Sequence, residues 1–136
     1  MIETSDQLDT AGRITKLQKD VEEIREELQD QWHDRRSDFE ARVRKCLSGD
    51  KNAIILYLEV DGQRSIEEIE SALMTAGRRI AHVSLWRASV RLVEGGLVRK
   101  YGVKGRSPVY DKRPWAKVLD MEGYVRKEML GEQGTL

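Results

Sequence analysis

The stretch SIEEIESALMTAGRRIAHVSLWRASVRLVEGGLVRKYGVKGRSPVY, residues 65–110, decides how the chain is read. Ser65 followed by Glu68 is a capping box, in which a hydroxyl and a carboxylate each satisfy an amide that the first turn of a helix leaves unpaired. Ile66, Ile69 and Leu73 then recur at helical spacing, so the pattern predicts a helix from 66 to about 74, broken by Thr75-Ala76-Gly77. A basic connector, Arg78-Arg79-Ile80-Ala81-His82-Val83, leads to Ser84, the expected cap of a second helix over 85–94. Leu85, Ala88, Ser89 and Leu92 give that helix its buried side, and Gly95-Gly96 ends it. Leu97 to Val103 alternates as a strand does, 102–107 is a glycine-containing basic turn, and Val109 to Asp111 reads as the returning strand.

Working outward, Lys51 to Val60 is a dense apolar run closed by Asp61-Gly62. Periodicity leaves it strand or buried helix, and its place ahead of two helices favours helix. Before the stop at Ser48-Gly49-Asp50, Phe39, Val43 and Leu47 step by four, and a bend or a new helix is expected at 33–38. Residues 13–37 read as a helical arm: Ile14, Leu17, Val21, Ile24 and Leu28 are spaced 3, 4, 3, 4, a heptad seam of little more than two repeats. Such a stripe must be covered, by a partner chain or by another helix of the same subunit. Its narrowness suits a helix pair, so these five residues are expected to mediate a homodimer. Residues 1–12 and 131–136 are expected to be disordered. Pro114 opens a last helix, 113–130, with Trp115, Val118, Leu119, Val125 and Met129 on one side. Trp115 and Leu119 are taken as a second part of the dimer contact, although Gly123 costs that helix about 1 kcal/mol relative to Ala.

Helix, turn, helix and a basic hairpin in that order resemble the winged helix-turn-helix DNA-binding proteins. The resemblance covers residues 51–112 and is most specific over Ser84-Leu85-Trp86-Arg87-Ala88-Ser89-Val90-Arg91-Leu92-Val93-Glu94-Gly95-Gly96-Leu97-Val98. That string looks like the recognition helix, glycine turn and wing entry of MarR-type and ferric-uptake-type regulators. The long connector and the aromatic-Arg pair at 86 and 87 are closer to the ferric-uptake type, whose His- and Cys-rich metal-sensing domain is absent here. The resemblance implies a mainly α chain with a small β-hairpin wing (α+β). Residues 38–112 would be the winged domain, between a helical arm and a C-terminal helix.

Charge patterning agrees with a polyanion surface. The chain is neutral overall, yet residues 76–117 hold eleven basic residues against Glu94 and Asp111, while residues 1–40 are acidic by six. A basic block in an acidic chain is the electrostatic footprint of nucleic-acid binding, with a solvated basic face as the plainer alternative. On the second helix Arg87 and Arg91, four apart, share a face with Ser84, where an arginine can bond a guanine edge and the helix start can hold phosphate. Trp86 is expected to pack beneath the wing or on the previous helix, with groove contact as the alternative. Lys104 and Arg106 at the wing tip are candidate backbone contacts, and Arg78, Arg79, Arg99, Lys100, Lys112, Arg113 and Lys117 extend the zone.

Other chemistry finds little support. One cysteine, Cys46, and two histidines, His33 and His82, give neither an internal disulfide nor a metal cage, and no cofactor is expected. No glycine-rich phosphate loop and no nucleophile with a nearby histidine point to an enzyme. Cys46 is expected to be a small buried hydrophobe, with redox sensing as the alternative. No apolar run approaches a membrane span, which leads to the expectation of a cytoplasmic, nucleoid-associated protein. The expected function is a dimeric, sequence-specific double-stranded DNA-binding repressor. The rival is a winged-helix adaptor that binds protein in a larger assembly.

Overall fold

The structure, a computed structural model, describes the backbone of residues 2–130 and the side chains of residues 10–130. The expected disordered tail, 131–136, lies outside the described residues. The chain is mainly helical with one small two-stranded antiparallel sheet, and it divides into two compact units between Arg35 and Arg36.

The first unit is a single helix, α1 (Ile2–Asp34). The backbone of residues 2–12 is helical, where disorder was expected over 1–12 and a helix only from 13; residue 1 lies outside the described residues. Gly12 lies inside α1, because one glycine costs a helix about 1 kcal/mol without breaking it when its neighbours are good helix formers. Ile14, Leu17, Val21 and Ile24 are 51–62% exposed and Leu28 39%, so the heptad stripe lies open.

In the second unit α2 (Arg36–Leu47) begins where the change of apolar rhythm placed it. The run from Lys51 is a helix, α3 (Lys51–Glu59), capped by the Asp50 carboxylate, which accepts the Ala53 amide at 3.0 Å. Ala53, Ile54, Ile55, Leu56 and Tyr57 are all buried, which explains why periodicity could not tell this helix from a strand: apolar neighbours surround it. α4 (Ile66–Thr75) carries the capping box in full, with the Glu68 amide on Ser65 Oγ at 3.2 Å and the Ser65 amide on Glu68 Oε1 at 3.0 Å. α5 (His82–Glu94) then buries Leu85, Ala88, Ser89 and Leu92, the four residues expected.

α4 and α5 end alike. Arg78 and Leu97 donate their amides to Leu73 and Leu92 carbonyls, and Gly77 and Gly96 theirs to Met74 and Val93. This doubly bonded cap requires a left-handed residue, and Gly77 at φ 83° and Gly96 at φ 76° supply it without a Cβ penalty. β1 (Val98–Lys104) and β2 (Ser107–Lys112) pair in antiparallel register, Val98 with Lys112 and Lys104 with Ser107, across the two-residue turn Gly105-Arg106. Ser65 forms an isolated antiparallel bridge to Val109, tying the start of α4 to the sheet.

The continuous helix expected over 113–130 is corrected to two short helices and a π-helical segment. α6 (Pro114–Val118) stops before Asp120, which adopts φ 50° and accepts the Gly123 amide to start α7 (Met121–Tyr124), followed by the π-helical Val125–Leu130. Aspartate is among the few residues that tolerate the left-handed region, so the break falls there and not at Gly123. Trp115 and Leu119 are 6% and 1% exposed within the subunit, which removes them from the expected dimer contact. Trp115 stacks on Phe39 of α2, ring centroids 4.6 Å apart, with the Arg42 guanidinium over both rings. Burying each such side chain stabilises by about 1.5–3 kcal/mol, so this face is committed to the core. Among the described residues no helix is long and apolar enough to cross a membrane.

Candidate nucleic-acid interface

Three elements carry the candidate residues: the turn after α4, the outward side of α5, and the β1–β2 hairpin. α5 begins at His82, with Ala81 as its cap residue and no side-chain cap, so Ser84 is not the cap expected but lies within the first turn. An extended Ala81 suffices to start the helix, and His82 Nδ1 lies 3.0 Å from Glu70 Oε2, joining that start to α4.

The core spacing of α5 leaves Arg87 outward and exposed. Arg91 departs from the expectation of a shared basic face. Its Nε donates to the Cys46 carbonyl at 2.6 Å and its Nη1 stands 3.5 Å from Asp50 Oδ2, so it fastens the end of α5 to the α2–α3 junction. The carbonyl of Cys46, near the end of α2, needs a donor, and Arg91 supplies it. Cys46 is buried as expected, and burial pushes its thiol pKa up, against the opposing influence of Arg91.

Trp86 corrects the preferred expectation of packing: it is 58% exposed. Val83 and Val93 are exposed beside it, and with half-buried Val90 they form a 3-4-3 apolar stripe outside the buried set. That stripe is present in the sequence at helical spacing, with Arg87 and Arg91 interleaved in it.

Lys104 also has a different setting from the one expected. Its Nζ meets Glu68 Oε1 at 3.1 Å, and Ser107 Oγ accepts the Glu67 amide at 3.1 Å, so both sides of the hairpin turn are tied to the first turn of α4. The Ser65 amide and Lys104 hold the Glu68 carboxyl below its ordinary pKa. Lys112 and Lys117 are likewise engaged, Lys112 with the Val60 carbonyl and the Tyr57 ring, Lys117 with Asp111 at 2.6 Å.

Arg79, Arg87, Arg99, Lys100 and Arg106 are exposed and, among the described residues, have no acidic partner. Arg78 is half-buried at the turn that closes α4. Tyr101, which sequence reasoning missed, is the extra residue of a β-bulge between Lys100 and Gly102 and is 67% exposed. A bulge re-aims its side chain, and the glycine after it was the available signal. Set against family models, curated proteins and solved structures, the chain matches none of them.

Proposed function

We propose that the protein is a winged-helix, sequence-specific double-stranded DNA-binding repressor that works as a homodimer. In this proposal α5 enters the major groove and the β1–β2 hairpin lies along the flanking backbone. The observation that carries it is the set of five exposed cations, without acidic partners among the described residues, on α5, the hairpin and the turn after α4. A basic face that served solubility alone would be laced with acids, as α1 is. The order α3, bridge at Ser65, α4, α5, hairpin supports the winged-helix reading, since it gives the hairpin a third strand position at the start of α4. Arg87 would then read a base edge, while Arg79, Lys100 and Arg106 would neutralise phosphates.

The test is binding to random duplex DNA at two salt concentrations. A dimer making about 6–10 phosphate contacts would lose roughly 10³- to 10⁵-fold in affinity between about 50 and 200 mM salt. Absence of salt-dependent binding at the lower concentration sinks the proposal.

One observation favours the adaptor reading. Val83, Trp86 and Val93 expose an apolar stripe on the same helix, and exposed aromatic and aliphatic clusters are typical anchors for a protein partner. On that reading Trp86→Ala abolishes partner binding, and duplex DNA is bound weakly at any salt.

A further inference from the structure

We infer that α1 pairs with α1 of a second copy as a parallel, in-register two-stranded coiled coil, oriented by Asp20 of each chain against Arg25 of the other. This rests on the homodimer reading above and adds to it a partner face, an orientation and a specifying ion pair.

The exposed stripe fixes the register. Steps of three and four place Ile14, Val21 and Leu28 at the a positions and Leu17 and Ile24 at the d positions. These residues are the open face of α1, and a lone helix in water has no means of covering them. β-branched Ile14 and Val21 at a, with Leu17 at d, favour two strands, and the reverse arrangement, Ile24 at d and Leu28 at a, is confined to the last two layers.

Orientation follows from what each arrangement places together. In the parallel, in-register pair every apolar residue meets its own counterpart, giving five apolar layers. An antiparallel pair must set a positions against d positions. The two registers that retain most apolar contacts then set Leu28 against Thr10, or Ile14 against Gln31.

The flanking charges discriminate in the same direction. Asp20 falls at g and Arg25 at e, and in a parallel pair each g residue faces the e residue five positions later on the partner. Two symmetric Asp20–Arg25 pairs result, and the other such positions, Arg13 with Gln18 and Glu27 with Trp32, bring no like charges together. In the antiparallel registers g faces g: one sets Asp20 against the second copy's Asp20 with an Arg13–Glu27 pair on either side, the other sets Asp20 against Glu27 twice, so each carries an acid–acid contact that the parallel pair avoids. Within one chain residues five apart do not face each other on a helix, so Asp20 and Arg25 have no reason to interact except between chains. Parallel pairing also brings both chains out of the arm at the same end, at residues 34–36.

The experiment is a charge swap read by sedimentation equilibrium on the full chain, with circular dichroism to confirm unchanged helix content. Asp20→Arg and Arg25→Asp should each raise the dimer dissociation constant roughly three- to tenfold, the scale of two exposed ion pairs turned repulsive, and the double swap should restore it. As an independent readout, Gln31→Cys in a Cys46→Ala background should oxidise to a disulfide-linked dimer, because residue 31 faces itself at the next d layer only in the parallel pair. Tighter or unchanged association of Asp20→Arg overturns the orientation while leaving the homodimer in place. A wild-type chain that stays monomeric at about 100 μM overturns the homodimer itself, whatever the DNA result.

Discussion

A methyl group placed on Gly95 would stand 2.6 Å from Cys46 Sγ and 3.2 Å from its Cβ, so the turn after α5 touches the last turn of α2 as closely as a glycine allows. Gly95 has an ordinary helical φ of −74°, which makes the constraint purely steric. Gly95→Ala should therefore destabilise the chain by about 1–3 kcal/mol through overpacking. Adding Cys46→Ala should recover part of the loss, because it removes the sulfur but leaves the Arg91 carbonyl, also 3.2 Å from the new methyl. Urea unfolding of the two single variants and the double variant measures the coupling, and strict additivity would contradict it.

Asp61 supplies a stabilising contribution that acid should remove. Burial opposes its charge, but amides of Arg64 and Gln63 and the Arg64 guanidinium outweigh this and hold its pKa below the ordinary 3.8. A carboxylate with a lowered folded pKa stabilises fully above its unfolded pKa, and that contribution fades as pH falls through the folded value. Asp61→Asn should cost about 0.5–1 kcal/mol at pH near 7, discounted because the pair is partly solvated. The gap from wild type should begin to close below pH 3.8. A gap independent of pH would assign the effect to the turn alone.

Lys112 gives a slope of the same sign at the alkaline end. Burial is the main cause that lowers its pKa from 10.5, since the ammonium sits over the Tyr57 ring with the Val60 carbonyl as its bonded partner. A base whose folded pKa is depressed makes the protonated fold less stable, so stability should rise as pH climbs through that lowered value toward 10.5. Wild type should gain on Lys112→Met over that alkaline interval. Subtracting the two curves cancels Cys46, whose raised pKa acts in the other direction in both proteins. A flat difference curve would refute the assignment.

How far these features could be read from the sequence depended on how local their causes are. Ser65 with Glu68, and Gly77 and Gly96, set the ends of α4 and α5 through bonds within a few residues, so both caps were legible. The heptad stripe of α1 was legible because it is a property of one helix. Trp115 and Arg91 were misread because their partners, Phe39 and the Cys46 carbonyl, are distant in sequence, and neither composition nor spacing announces such a meeting. Trp86 was misplaced for the converse reason: a large apolar side chain is ordinarily buried, and its exposure is a fact of packing. Asp120 breaks the expected last helix through a left-handed conformation that aspartate merely tolerates, and its carboxylate then caps α7.

Arg87 and Arg91, four residues apart on α5, should fail in different measurements. Arg91 bonds the Cys46 carbonyl and lies near Asp50, so Arg91→Ala leaves a helix-end carbonyl without that donor and should cost about 1–2 kcal/mol of stability. Arg87 is exposed, and Arg87→Ala should change stability by less than about 0.5 kcal/mol. Under the DNA-binding proposal the order reverses for affinity: Arg87→Ala should lose about 1–3 kcal/mol on a preferred sequence and relax the preference, whereas Arg91→Ala, measured where the fold remains populated, should leave it unchanged. Arg106→Ala, at the hairpin turn, should weaken all duplexes alike and flatten the salt slope by about one unit for each phosphate that Arg106 neutralises. Thermal unfolding with fluorescence anisotropy on the same three variants separates these outcomes. Equal affinity loss for Arg87→Ala and Arg91→Ala at matched folded fraction would show that α5 does not present the face described.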